Sequence, residues 1–289
     1  MRYRLPEYEE YKTIVDKMRN MNPQTADIIK KWYRKLNFPG CYDKEFYEAI
    51  EQVEIPEGMS LEDYDIYGQD GKRNLLSFLY FCENLEKKYE IMEIPKEILY
   101  DTLGDIVQWT NVWSSLKGEL YLGELHWLKR HLSGRLFKLG RLQFCIGSIP
   151  YDMPEKDLKK DTPVIEIHIP ANGPLIRKEC EESIKQAKEF FARYFPDYDY
   201  PYFYCHSWLL ATELAKYLPA DSNILEFQKL FEIITEEESD NILRYVFTWD
   251  TTRDNLKDKE CTSGLARKIK EDALNSSVFY VGQGVIKKN

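Results

Sequence analysis

The sequence has few features of a metal-binding, secreted or membrane protein. Its 6 cysteines are scattered, and no two form a Cys-x-x-Cys pair, which argues against a zinc site or a dithiol redox motif. The first residues lack the apolar core of a signal peptide, and no hydrophobic run approaches the length of a membrane-spanning helix. We therefore predict no bound metal, no membrane association and a location in the reducing cytoplasm.

Positive charge is also scarce. The chain has 40 lysines and arginines against 49 aspartates and glutamates, so its formal net charge is −9. Nucleic acids and anionic membranes are bound through positive potential, so neither is a predicted partner. A single anionic cofactor remains compatible with this charge if a few basic residues cluster. The helix predicted after residue 176 carries such residues, although they also fit an ordinary solvated helix face: Arg177, Lys178, Lys185 and Lys188.

The composition is otherwise that of a packed globular protein. Hydrophobic residues make up 43% of the 289 residues and aromatic residues 14%, and this length suits one large domain or two ordinary ones. Residues 1–115 show mainly helical periodicity, whereas residues 116–289 alternate strand and helix patterns. We therefore predict an α+β protein, with a helical N-terminal domain over 1–115 and a mixed β-sheet domain flanked by helices over 116–289.

Local patterns predict individual elements. Helical periodicity covers residues 8–18, 25–36, 43–52, 75–89 and 96–113, and residues 60–63 resemble a helix start. In the second half, residues 135–146 read as one long strand with an irregularity at Gly140. Residues 231–235 and 243–249 read as two strands that pair around an acidic turn. The last strand covers residues 278–286, where Gly282 suggests a bulge or a close backbone approach.

The most informative stretch is a strand, a tight turn and a helix over residues 164–191. Val164, Ile165 and Ile167 give the β-branched density of a buried strand, and residues 172–174 read Asn-Gly-Pro. Pro174 suits the first position of the following helix. A strand that enters a helix through such a turn directs several unpaired backbone N–H groups at one spot, where a phosphate or another anion can bind.

Four sequence blocks carry a resemblance to a known family. They read LGRLQF at 139–144, IHIPANGPL at 167–175, CHSWLL at 205–210 and SNILEFQ at 222–228. Together they resemble the C-terminal domain of a bacterial family of GNAT-like acyltransferases. The first half of the chain resembles the helical domain that precedes it in that family.

This resemblance implies a donor and an acceptor. The donor is an acyl-CoA, with acetyl-CoA in first place, and the acceptor is a small-molecule or peptide amine. Strand amides would hold the pantetheine arm, the strand-to-helix loop would cradle the pyrophosphate, and the strand at 202–206 would splay away to admit the thioester. The cofactor-binding residues implied in this chain are Ile167, Ile169, Ala171, Asn172, Gly173, Leu175, Ile176 and Arg177.

The cradle departs from the family frame Gln/Arg-x-x-Gly-x-Gly/Ala, because residues 170–175 read PANGPL. Pro170 replaces the basic or amide residue and Leu175 replaces a small one, while Pro174 removes a backbone donor. We expect an anion site that is weaker or differently shaped. A second hypothesis therefore stays open, in which the chain is a non-catalytic binding module that has kept the fold and lost the cradle.

N-acyl transfer by direct attack needs a base for the amine proton, a donor for the oxyanion and an acid or solvent for the thiolate. Strand alternation places Glu166 and His168 on one face, where they could take the proton or form an ordinary polar pair. His206 follows at another strand end and could act as base or orient the substrate. Ser207 could donate to the leaving thiolate or simply cap the next helix.

Cys205 raises a third hypothesis, a thiol-dependent hydrolase. Its neighbour His206 cannot complete a dyad with it, because adjacent strand residues point to opposite faces of a sheet. A base from elsewhere in the chain would be required.

Overall fold

A computed structural model describes residues 22–55, 58–65, 70–154 and 158–288. The predicted helix at 8–18 lies outside these ranges. Internal contacts divide the chain into two compact units, of which the first ends at Arg135 and the second begins at Leu136. The division falls later than the change of sequence pattern at residue 115, because the helix Leu125–Leu132 packs within the first unit.

The first unit is helical. Its described α-helices are α1 Pro23–Lys35, α2 Asp43–Gln52, α3 Gly71–Ile91, α4 Lys96–Lys117 and α5 Leu125–Leu132. The side chain of Asp70 caps α3 by accepting a hydrogen bond of 2.8 Å from the backbone N–H of Arg73. At the predicted helix start near residue 60, Ser60 accepts a bond from the N–H of Asp63, but only a turn follows in the described residues.

Two acidic side chains of this unit, Asp105 and Glu86, lie against basic or imidazole partners. His131 is fully buried, and its Nε2 lies 3.0 Å from Oδ2 of Asp105. The carboxylate of Glu86 binds Lys31 at 2.7 Å and Lys35 at 2.6 Å, which ties α3 to α1. These contacts are structural, since a buried polar group is costly unless it is hydrogen-bonded.

The second unit is built on a six-stranded mixed sheet. Its strands are β1 Leu136–Leu139, β2 Leu142–Ser148, β3 Pro163–His168, β4 Tyr202–Ser207, β5 Glu232–Glu238 and β6 Tyr280–Lys287. They lie in the order β1-β2-β3-β4-β6-β5, and β3 and β4 are the parallel pair. The α-helices described here are α6 Arg177–Tyr194, α7 Asn223–Gln228, α8 Asn241–Val246 and α9 Gly264–Leu274. This arrangement confirms the predicted α+β class.

The predicted long strand at 135–146 is wrong, because the chain reverses at Gly140 and Arg141. Leu139 pairs with Leu142, so β1 and β2 form a hairpin with a two-residue loop. Gly140 has a φ of 69°, which a glycine adopts without strain and which suits the first position of such a loop. Apolar residues on both sides of the loop mimic one continuous strand in the sequence.

The predicted strand pair at 231–235 and 243–249 is also wrong. The acidic residues 236–238, read as a turn, belong to β5, which pairs with β6. Residues 241–246 form α8, whose Ile242 and Leu243 are buried. β5 lies at the edge of the sheet, where one side of the strand faces solvent and charged side chains are tolerated.

Close backbone packing explains the glycine of the last strand. A Cβ atom at Gly282 would lie 2.4 Å from the carbonyl oxygen of Leu210. This agrees with the close backbone approach that the sequence suggested at Gly282. No helix among the residues that the structure describes combines the length and the apolarity needed to cross a bilayer.

Candidate functional site

The parallel strands β3 and β4 stop pairing halfway along their length. They pair at Val164 with Tyr202, at Ile165 with Phe203 and at Glu166 with Tyr204, and the ladder ends there.

Both strands nevertheless continue. β3 runs on to His168, which pairs with Gln143 of β2, and β4 runs on to Ser207, which pairs with Gly282 of β6. Beyond Glu166 and Tyr204, β3 therefore stays paired with β2, and β4 stays paired with β6, but β3 and β4 no longer pair with each other. This leaves a gap between β3 and β4. The facing backbone N–H and C=O groups beyond Glu166 are not used by a β3–β4 ladder, and a bound ligand can take them.

The turn that follows β3 is open to solvent. Residues 171–174 are exposed, and a Cβ atom at Gly173 would meet nothing within 4 Å. Leu175, which stands where the family frame has a small residue, is buried. Its side chain therefore points into the protein and does not fill the turn. The helix α6 begins at Arg177, with Ile176 as its N-cap and no side-chain cap bond. Pro174 therefore lies in the turn and not at the first helical position, and that expectation is wrong.

Arg141 reaches this turn from the tip of the β1–β2 hairpin. Its Nε donates to the carbonyl of Pro174 at 2.9 Å, and its Nη2 donates to the carbonyl of Gly173 at 2.7 Å. Our reasoning from the sequence missed this residue, because reading 135–146 as one strand hid the loop that carries it. The signal was present in the block LGRLQF, where a glycine precedes an arginine between two apolar pairs.

Arg177, the basic residue predicted for the cofactor site, is engaged elsewhere. Its Nε lies 2.8 Å from Glu181 on the same helix, and its Nη1 lies 3.4 Å from Glu226 of α7. These exposed ion pairs raise the pKa of Arg177 through hydrogen bonds to the two carboxylates.

Glu166 and His168 lie on one face of β3, as the strand alternation predicts. Oε2 of Glu166 is 3.0 Å from Nε2 of His168, and both side chains are about three-quarters buried or more, with 19% and 27% exposed. Cys145 of β2 stands opposite Glu166. The ligand atoms of these three side chains lie within 4.8 Å of one another, a spacing that a metal ion could bridge.

The same face carries a buried amide, Gln143, that our sequence analysis did not single out. Gln143 is 1% exposed and pairs with His168 across the ladder, and its Nε2 has no hydrogen-bond partner. Further along the face, the hydroxyl of Tyr204 donates to Gln283 at 2.8 Å, and Gln283 donates to the hydroxyl of Tyr151. A row of polar side chains, most of them buried, therefore runs from β2 across β3 and β4 to β6.

His206 occupies the other side of the gap. It lies two residues beyond Tyr204, as His168 lies two residues beyond Glu166, so the two imidazoles flank the gap on the same face of the sheet. Nε2 of His206 is 2.8 Å from Oε1 of Glu237 on β5, and both side chains are exposed.

Ser207 acts as a cap. Its Oγ accepts a hydrogen bond of 3.2 Å from the N–H of Leu209, at the start of the short 3₁₀ helix Trp208–Leu210. This contact corresponds to the simpler of the two roles considered for Ser207.

Cys205 is fully buried, and it points to the opposite face of the sheet from His206. Burial raises the pKa of its thiol well above the usual value, which disfavours the thiolate that a nucleophile requires.

Family models match almost the whole chain. The GNAT-like C-terminal domain matches residues 136–286, and the N-acyltransferase N-terminal domain matches residues 11–134. The chain belongs to the GNAT-like N-acyltransferase family. The match confirms the resemblance noted in the four sequence blocks, and the two models meet where the structure divides the chain.

Solved structures of acyltransferases share the fold. One, in complex with decanoyl-CoA and teicoplanin, has a TM-score of 0.73 and 21% identity, covering 99% of this chain and 97% of that chain. Another, in complex with decanoyl-CoA, has a TM-score of 0.66 and 23% identity, covering 99% and 90%. A mutant acyltransferase in complex with octanoyl-CoA has a TM-score of 0.73 and 21% identity, covering 98% and 96%. No curated protein matches the chain.

Proposed function

We propose that the protein is an N-acyltransferase that moves an acyl group from acyl-CoA to an amine. The observation that carries the proposal is the gap between β3 and β4, which begins after Glu166 and Tyr204. A thioester inserted there would face backbone groups that no β3–β4 ladder uses, and polar side chains on one face of the sheet. The solved acyltransferases with this fold hold acyl-CoA, which supports the same donor here.

The donor would lie along β3 and its turn. Backbone groups of Ile167 and Ile169 would bind the pantetheine arm, and the exposed turn would face the diphosphate. Residues 171–173 are open to solvent, so a nucleotide can approach them without displacing a side chain. The turn would be completed by Leu175, Ile176 and Arg177.

The acyl chain and the acceptor are finer proposals. Acetyl-CoA is the smallest donor, but the solved acyltransferases hold decanoyl-CoA or octanoyl-CoA, so a medium-chain donor is equally supported. One of them also holds teicoplanin, a glycopeptide, which supports a peptide or another small-molecule amine as acceptor.

The reaction would be a direct attack. The amine nitrogen bonds to the thioester carbonyl carbon, the C–S bond breaks, and CoA leaves as the thiolate or thiol. A backbone N–H near Ile169 would stabilise the oxyanion. The amine proton would pass to Glu166, directly or through His168, or to His206 across the gap. We favour the Glu166 pair, because it is the less exposed of the two. Ser207 or solvent would protonate the thiolate.

A second candidate function is binding without catalysis. The proline at each end of the 170–174 stretch favours it, because Pro170 removes a basic or amide side chain and Pro174 removes an N–H donor. A module of this kind would bind a ligand on the same face but release no CoA.

Titration calorimetry and a thiol-release assay separate the possibilities. We expect the protein to bind CoA, and to release free thiol from acetyl-, octanoyl- or decanoyl-CoA when supplied with an amine acceptor series that includes a glycopeptide. Binding with no thiol release across that series would favour the binding module. The absence of CoA binding at millimolar concentration would refute the transferase.

A matched pair of variants tests the position of the diphosphate. Ala171→Glu puts a negative charge in the turn and should weaken CoA binding about tenfold or more by like-charge repulsion. Ala220→Glu makes the same change at another exposed alanine of the second unit and should leave CoA binding within twofold. Equal effects of the two changes would place the diphosphate elsewhere.

A further inference from the structure

The hairpin tip that carries Arg141 is anchored to α6. Ser183 of α6 is fully buried, accepts a bond of 3.0 Å from the N–H of Leu142, and donates to the carbonyl of Leu139. One serine thus binds both residues that flank the two-residue loop. The helix that follows the turn therefore fixes the loop from which Arg141 returns to that turn.

Arg141 makes its hydrogen bonds with carbonyl groups of the turn, and among the described residues no carboxylate pairs with it. Nη1 is buried without a hydrogen-bond partner. Burial lowers the pKa of Arg141, opposed by the nearby Cys180 and Glu179, yet a guanidinium stays charged at neutral pH. Arg141 therefore holds its positive charge against the turn without a carboxylate ion pair among the described residues, whereas Arg177 shares its charge with two glutamates.

The two bonds from Arg141 also orient the peptide planes of the turn. A trans peptide is planar, so the N–H of Leu175 points in the opposite direction to the carbonyl of Pro174. Because Arg141 holds that carbonyl, it also sets the direction of the next N–H. A bidentate guanidinium imposes this geometry more firmly than a single ammonium group can.

We propose that Arg141 is the positioning residue of the phosphate-binding turn and takes over the part that the family frame gives to a basic or amide side chain at residue 170. It fixes the carbonyls of Gly173 and Pro174, directs the turn amide of Leu175, and adds positive charge near the diphosphate. This inference rests on the proposed function, since it requires that a CoA nucleotide occupies the turn.

Two donors of different length test the inference. Acyl-CoA reaches the turn with its diphosphate, whereas the matching acyl-pantetheine ends before it and has no phosphate there. We expect Arg141→Ala to weaken CoA binding about tenfold or more, because the turn amide loses its fixed direction and the site loses a positive charge, and to raise the KM for acyl-CoA with little change in kcat. Its kcat/KM for acyl-pantetheine should stay within twofold of wild type.

Two further variants guard against a folding artefact. Arg141→Lys keeps the charge but lacks the planar fork that fixes both carbonyls in one geometry, so its affinity for CoA should fall between those of Arg141→Ala and wild type. Arg193→Ala removes an exposed arginine from the far end of α6, about 24 Å along the helix at 1.5 Å per residue, and should leave both donors unaffected.

The outcomes are distinct. A wild-type protein that neither binds CoA nor turns over acyl-CoA overturns the proposed function. If wild type binds CoA and both Arg141 variants bind it equally well, the inference alone is overturned. An equal loss for acyl-CoA and acyl-pantetheine in Arg141→Lys, with thermal stability unchanged, also overturns it, because a residue that acts on the diphosphate cannot affect a donor without one.

Discussion

Gly147 and Glu166 are packed so closely that a Cβ atom on Gly147 would stand 2.2 Å from Oε1 of Glu166. The two residues lie on adjacent strands, where Gly147 pairs with Val164 and Cys145 pairs with Glu166. The missing side chain is the space in which the carboxylate lies while it contacts His168. A glycine in β2 therefore shapes the proposed catalytic pair.

Gly147→Ala should displace the Glu166 carboxylate and break its contact with His168. If this pair is the base, kcat should fall about tenfold or more, because general-base catalysis typically contributes 10²–10⁴-fold. Gly104→Ala is the matched control, since a Cβ there meets nothing within 4 Å and alanine favours the helix α4. Steady-state kinetics of both variants decide the matter, and equal activity of the two would argue against a role for Glu166.

The two sides of the gap can be compared directly. Glu166→Gln removes the carboxylate beside His168, and Glu237→Gln removes the one beside His206. We expect the first change to lower kcat at least about tenfold more than the second, because the less exposed pair is better shielded from water. A larger effect of Glu237→Gln, measured with the same donor and acceptor, would move the base to the other side of the gap.

Cys205 should be dispensable. It is fully buried with a raised thiol pKa, so iodoacetamide should leave it unmodified in the folded protein while it alkylates the exposed Cys41. Cys205→Ala should retain turnover within about twofold, as mass spectrometry and a thiol-release assay would show together. Loss of all turnover in a folded Cys205→Ala protein would revive the thiol mechanism.

Acid should weaken the first unit through Glu86. Burial alone would raise the pKa of Glu86, but hydrogen bonds from Lys31 and Lys35 outweigh it and the pKa is lowered. A lowered carboxylate pKa contributes stability that is complete above the unfolded value of about 4.3 and disappears as the pH falls through the folded value.

Glu86→Gln should cost about 1–3 kcal/mol of unfolding free energy at pH 7. The cost should be smaller at a pH below the lowered folded pKa of Glu86, because wild type has lost the same contribution there. Glu90→Gln, which removes a half-exposed partner of Lys96, should cost under about 1 kcal/mol. Urea denaturation at the two pH values measures both. A constant difference between Glu86→Gln and wild type at all pH values would contradict the assignment.

Gly282 predicts a purely steric effect. An alanine there would bring Cβ to 2.4 Å from the carbonyl oxygen of Leu210, and a backbone atom cannot rotate away. We expect Gly282→Ala to lower the unfolding free energy by roughly 1–3 kcal/mol, as overpacking does. Chemical denaturation would test this, and unchanged stability would mean that the 3₁₀ segment moves freely.

Much of the architecture could be predicted from periodicity. The helix at 43–52 and the strand at 164–168 follow directly from apolar spacing, and the structure has both. These features depend on neighbours in sequence, which is why the sequence reveals them.

The errors arose where a local pattern has two solutions. The hairpin loop at Gly140 interrupts a run that also fits a single strand, and the apolar spacing of 243–246 fits a buried helix turn as well as a strand. The hydrogen bonds from Arg141 to the turn join residues more than 30 positions apart in the chain. Local sequence patterns cannot predict such a distant contact.

The edge strand β5 reads EIITEEE, and four of its seven residues are glutamates. A second copy of the chain that tried to extend the sheet from this edge would bring its own row of carboxylates alongside, and the repulsion would oppose the join. The glutamates at 236–238, which the sequence pattern predicts as a turn, thus oppose fibre-like self-association through the edge of the sheet.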